Sequence, residues 1–136
     1  TRMNSFAQLV DENIPQSMFM DARTVQYTIS PQNGQLTGVF GNVWVNGHTD
    51  EVFFRVHGLK DDTEHDYQVW LIKSVNRENA GLLDIVGEYA ELYSQGQNIH
   101  EVQHISISKE PKGGSDYPTT PDVILLDLHH VRNSYP

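Results

Sequence analysis

His100-Glu101-Val102-Gln103-His104 is the stretch whose residue types and spacing point most directly to chemistry. On a helix, histidines four apart share one face and hold Zn²⁺, while the glutamate between them activates the metal-bound water. Read this way, His100 and His104 are metal ligands, Glu101 is the base, and the chain is a zinc-dependent hydrolase. The surroundings argue against the helix this requires. Ile105-Ser106-Ile107-Ser108 alternates with the period of a strand directly after the motif, and Pro111 follows soon after. A third ligand would have to come from Asp127, His129 or elsewhere, and none sits in a recognisable second motif. The expectation is therefore loop and strand histidines with no metal site, the hydrolase being kept as an alternative.

Other candidate sites are weaker. Asp61-Asp62-Thr63-Glu64-His65-Asp66 gathers four carboxylates of the kind Ca²⁺ takes, but the glycine and terminal glutamate of an EF-hand loop are missing, so it reads as a solvated acidic turn. Gly113-Gly114-Ser115 has no following Lys-Ser/Thr and opens no helix, so it reads as a turn rather than a phosphate loop. His48, His57, His65, His129 and His130 are scattered; they are a possible pH sensor, read as surface residues. Trp44, Phe53, Phe54, Tyr67 and Trp70 are aromatic candidates for a ligand groove, and on strands such residues are more often core. No nucleophile elbow or set of nucleophile, base and orienter is present. The expectation is no catalytic residue, no cofactor and no enzyme.

The elements that position these residues are strands. In Asp66–Lys73, Tyr67, Val69 and Leu71 point one way from a strand and Gln68, Trp70 and Ile72 the other, so both faces carry apolar bulk and the strand belongs in the middle of a sheet. Val25 to Ile29, Leu36 to Val45, Glu51 to Leu59, Ile105 to Ser108 and Asp122 to Leu128 read as further strands, with turns at Asn33-Gly34 and Asn46-Gly47. Gly38 and Gly41 within the second of these suggest a bulge or a close backbone approach. Leu82 to Tyr93 fits a helical period as well as a short strand at Tyr89 to Tyr93, and the strand is preferred. Lys109 to Pro121, with its prolines and glycines, reads as irregular. About seven strands at short spacing argue an all-β sandwich or barrel, an Ig-like or related sandwich being the specific expectation. Residues 1–23 carry one helical period, Phe6, Leu9 and Val10 after a possible cap at Ser5, ended by Pro15. They read as an N-terminal arm or linker to a domain spanning 24–136.

Composition narrows the partners. Eighteen acidic against nine basic side chains give a net charge of -9 over 136 residues, which disfavours nucleic acid and anionic lipid surfaces. The absence of cysteine excludes thiolate metal sites, disulfides and a cysteine nucleophile. No run approaches the roughly 18 apolar residues of a spanning helix, so direct membrane insertion by this chain is not expected. A start at Thr rather than Met is compatible with a piece of a longer protein.

Several of these segments, in order, resemble the C-terminal domain of the anti-sigma-K factor (RskA-like) family. The resemblance rests on Tyr67 to Ile72, Gly81-Leu82, Glu110-Pro111, Gly113-Gly114-Ser115, Pro118-Thr119, Pro121 and Val123 to Leu125, with Val52 to Lys60 similar to the family's preceding strand ending in Gly-Leu. It spans residues 39–126, while 1–23 and 84–104 depart from the pattern. Tyr67, Trp70, Glu110, Pro111, Gly113, Gly114, Ser115, Pro118, Thr119 and Pro121 are the family-motif positions, and their implied role is structural. The resemblance implies an extracytoplasmic domain of a single-pass bacterial membrane protein. Its cytoplasmic domain, absent here, would hold the sigma factor until regulated proteolysis by a site-1-type protease released it. The implied partners are an extracytoplasmic protein or ligand and that protease. A binding module for wall polymer or another protein is a further alternative.

Overall fold

The computed structural model describes residues 16–30 and 37–128. The expected period at Phe6, Leu9 and Val10, Ser5, Pro15, the Asn33-Gly34 turn, His129 and His130 lie outside the described residues. Among the described residues a short helix, α1 (Gln16–Met20), precedes nine strands: β1 (Val25–Ile29), β2 (Phe40–Asn46), β3 (Glu51–His57), β4 (His65–Ile72), β5 (Arg77–Leu82), β6 (Asp84–Val86), β7 (Tyr89–Gln95), β8 (His104–Pro111) and β9 (Asp122–Asp127). They form two antiparallel sheets, one ordered β1-β2-β3-β7-β6 and the other β5-β4-β8-β9. The all-β sandwich read from the alternating pattern is the fold.

The core lies between the sheets. Val43, Val45, Val52, Phe54, Val56 and Ala90 from the first sheet join Val69, Leu71, Ile105, Ile107, Ile124 and Leu126 from the second in one buried cluster. Each of these strands contributes alternate residues to it, as the two-residue period of a strand requires. In β4 the residues between them, Gln68 and Trp70, are buried as well, and β4 is flanked on both sides by β5 and β8. The double-sided pattern at Asp66–Lys73 thus marks an interior strand.

Two strands were not anticipated. Ser74 to Asn79 reads as a turn, yet the chain turns back by Asn76 and β5 begins at Arg77, where it completes the far side of β4. The chain then switches sheets at Leu83, whose N–H donates to the Tyr67 carbonyl at 2.9 Å, and runs on as β6. The ambiguous Leu82 to Tyr93 resolves into the β6–β7 hairpin, with Val86 opposite Tyr89 across Gly87-Glu88. The preferred strand at Tyr89 is therefore present and continues to Gln95. Gly41 makes the close backbone approach expected of it: a Cβ there would overlap the Arg55 carbonyl of β3.

The first sheet also buries part of its outer face. Met18 and Phe19 of α1 pack on Trp44 and Phe53, with Tyr93 at the margin, as a cluster separate from the main core.

Candidate functional site

The motif residues around Glu110 converge on the outer face of the second sheet. Strand β8 alternates Ile105 and Ile107 into the core with Ser106, Ser108 and Glu110 away from it. All three outward residues are nonetheless buried. Their cover comes with the segment between β8 and β9, residues 112–121, which is fastened along this face as a strap.

The fastening is a set of polar contacts centred on Glu110 and Gln68. The Trp70 indole N–H donates to Ser108 Oγ at 2.8 Å, and Ser108 Oγ donates in turn to Glu110 Oε2 at 2.6 Å. Glu110 also accepts from the Thr119 backbone N–H at 3.1 Å and from Thr119 Oγ1 at 2.5 Å. The Gln68 amide and the Ser115 backbone exchange two bonds, Nε2 to the Ser115 carbonyl at 3.0 Å and the Ser115 N–H to Oε1 at 2.9 Å, imitating a rung of sheet. Gly113 N–H reaches Asp66 Oδ2 at 2.8 Å, and Thr120 Oγ1 reaches the Lys109 carbonyl at 2.8 Å. At the far end Ser106 Oγ donates to Asp122 Oδ1 at 2.5 Å, and Arg77 lies 3.1 Å from the same oxygen.

Electrostatics suit this geometry. Burial by itself pushes the Glu110 carboxyl up, but donors from Ser108, Thr119 and Ser115 outweigh it and leave the carboxyl below its ordinary value. A buried carboxylate with several donors is a strong, charge-assisted fastener. Gly113 and Gly114 have φ of 90° and 89°, a region closed to most side chains, and a Cβ on Gly114 would come within 3.0 Å of Gln68 Oε1. Beside them lies an open depression of about 430 Å³ lined by Gln68, Asn79, Leu82, Gly114, Ser115 and Asp116. Pro111, Thr119 and Pro121 are exposed, Pro118 is half-buried, and Tyr67 faces the core.

His100, Glu101 and His104 are not gathered into the zinc-peptidase arrangement. His100 and Glu101 sit in a single 3-10 turn, Ile99–Glu101, and His104 opens β8. Glu101 lies 3.7 Å from Lys73 Nζ, and His104 Nε2 lies 3.9 Å from Asp127. Among the described residues, the group whose ligand atoms lie within 4.8 Å of one another is Asp62, Glu64 and His65, in the acidic turn before β4. Within it, Asp62 meets His65 Nδ1 at 2.9 Å and Lys109 Nζ at 3.3 Å. The Glu64 backbone N–H foremost, and then His65, hold the Asp62 carboxyl down at about 2. His57 is stacked on Phe40 at 4.6 Å and meets the Tyr89 ring edge at 5.5 Å.

Ser106, Ser108, Gln68, Asp122 and Arg77 belong to the network but stand outside the positions singled out from sequence. The signal for the serines and Gln68 was present: polar residues on the outward positions of strands too apolar elsewhere to lie at a surface.

Fold and site together define a two-sheet β domain whose outer face is closed by its own strap. The chain belongs to the family described as "Anti-sigma-K factor rskA, C-terminal", whose model matches residues 7–123. This is wider than the stretch carrying the resemblance and takes in 84–104 and most of the N-terminal arm. The family is that of a regulator acting on a sigma factor and is not typically enzymatic. No curated protein and no solved structure gives a significant match.

Proposed function

We propose that this domain is the extracytoplasmic regulatory part of a membrane-anchored anti-sigma factor, and that its folded state governs the proteolysis that frees the sigma factor. The observation that carries the reading is the family match across both sheets and the strap. Physically, a protease needs an opened chain, and a domain yields to it in proportion to the population of its open forms. A face closed by a buried carboxylate network makes such opening costly. A partner or ligand that shifts the opening equilibrium would then change cleavage. Residues 1–23 serve as the arm towards the membrane, docked on the domain through Met18 and Phe19, and 24–136 as the domain. The sigma factor is met through a cytoplasmic domain outside this chain. Among the described residues no helix is long and apolar enough to cross a membrane. The family-motif positions act structurally rather than by catalysis: Trp70, Glu110, Pro111, Gly113, Gly114, Ser115, Pro118, Thr119 and Pro121 form the strapped face, and Tyr67 packs in the core.

The test uses the complete gene product in its host with a reporter for the sigma factor. Glu110→Ala should raise reporter output and accelerate loss of the full-length protein relative to wild type. Unchanged reporter output and unchanged full-length protein, with the isolated domain measurably destabilised, would sink the reading.

A further inference from the structure

The cluster under α1 differs in kind from the rest of the molecule. Phe19 stands edge-on to Trp44, with centroids 5.5 Å apart and planes at 82°, and edge-on to Phe53 at 5.8 Å and 89°. Trp44 and Phe53 stack on each other at 5.6 Å. Tyr93 closes one side, its hydroxyl donating to Glu51 at 2.6 Å. Met18 is 1% and Phe19 5% exposed, whereas Met20 is 73% exposed. All of this lies on the outer face of the first sheet, away from the main core.

A helix of five residues has no stability of its own, since isolated helices shorter than about 12 residues are marginal in water. For α1, docking and folding are therefore one event. Beside this ring packing, Thr24 Oγ1 donates to the Met18 carbonyl at 2.5 Å, and Asn46 Nδ2 donates to Thr24 Oγ1 at 3.1 Å. The sheet pairing begins only at Val25, opposite Val45, so releasing α1 breaks no rung of the ladder. The strap on the other sheet contrasts with this, because it joins two paired strands and is bound through a buried carboxylate.

We propose that α1 is a releasable latch: Gln16 to Met20 leaves the first sheet as a unit while both sheets stay folded, making the Phe19–Met20 bond the first point of proteolytic entry. This deepens the regulatory reading and rests on it for its biological consequence, whereas the opening itself is a property of the domain. Proteases take their substrates extended, as an added strand, so a docked helix is a poor substrate until it is released. Once it is, the protease adds water across the bond, leaving a carboxylate on Phe19 and an amine on Met20. Release also uncovers Trp44 and Phe53.

The experiment combines amide hydrogen exchange in increasing urea with brief chymotrypsin digestion of the 136-residue chain, the first cut being located by mass. The hydrogen-bonded amides of α1 should lose protection at urea concentrations where those of β4 and β8 remain protected, and the first cut should fall after Phe19. Met18→Ala weakens the docking but leaves the scissile bond in place. It should speed that cut at least about tenfold, cleavage tracking the open population, while β4 and β8 exchange as in wild type. Loss of α1 protection only together with β4 and β8, or a first cut in the strap, would overturn the proposal. A latch that opens as described, with a reporter indifferent to Met18→Ala in the complete gene product, would instead leave the latch standing and count against the regulatory reading.

Discussion

Trp70 and Glu110 are joined through a single hydroxyl: the indole N–H of Trp70 donates to Ser108 Oγ, which donates on to the Glu110 carboxylate. A large aromatic side chain on the face opposite the core is thereby tied to the buried charge that fastens the strap. The arrangement explains how Trp70 is 1% exposed without belonging to the inter-sheet cluster.

Trp70→Ala should remove both the packing and the donor. A loss of roughly 3–5 kcal/mol is expected, as for other large aromatic truncations. Urea unfolding followed by far-UV circular dichroism measures it, and a change below 1 kcal/mol would mean that the strap collapses into the space.

Glu110→Ala leaves the buried Ser108 hydroxyl without its acceptor and unties Thr119 from the sheet, at a cost of roughly 1–3 kcal/mol. The folded carboxyl lies below its ordinary value, so its contribution is present above the unfolded value of 4.5 and is lost as pH falls through the folded one. The stability difference between wild type and Glu110→Ala should therefore be full at pH 7 and shrink below pH 4.5. A difference that grows on acidification would contradict an ionised Glu110.

Gly113→Val and Gly114→Val both force a branched residue to φ near 90° and should each cost more than the roughly 0.5 kcal/mol of an ordinary surface substitution. They should differ from each other. A side chain on Gly113 meets open space, whereas one on Gly114 presses on Gln68 Oε1 at 3.0 Å and Leu82 at 3.2 Å. Gly114→Val is expected to be the more damaging in urea unfolding, and equal stability of both variants with wild type would show that the turn tolerates any residue.

His104→Ala should change stability by no more than about 0.5 kcal/mol, because its side chain is 40% exposed and the Asp127 carboxylate is 3.9 Å away. Zinc added to the protein should bind no more tightly than to dispersed surface histidines. Stoichiometric zinc that survives dialysis and disappears in His100→Ala would reinstate the hydrolase.

Much of the strand pattern was legible in the chain because a strand's period is local: residues two apart share a face whatever they meet. The doubly apolar Tyr67 to Ile72 announced an interior position, and Ile105-Ser106-Ile107-Ser108 announced one face in the core. Strand β5 was not legible. Arg77-Glu78-Asn79-Ala80-Gly81-Leu82 carries little apolar alternation, and its strand conformation is supplied by hydrogen bonds to β4. The same holds for the strapped face. Gln68 and Ser115 are 47 residues apart, and Trp70 and Ser108 are 38 apart, so no local pattern connects them. Phe19 likewise meets Trp44 and Phe53 only after β2 and β3 have paired. Sequence alone determined which residues can lie on one face of one element. Only the tertiary structure decided which faces meet, because burial and hydrogen-bond satisfaction depend on partners brought together across the sheets.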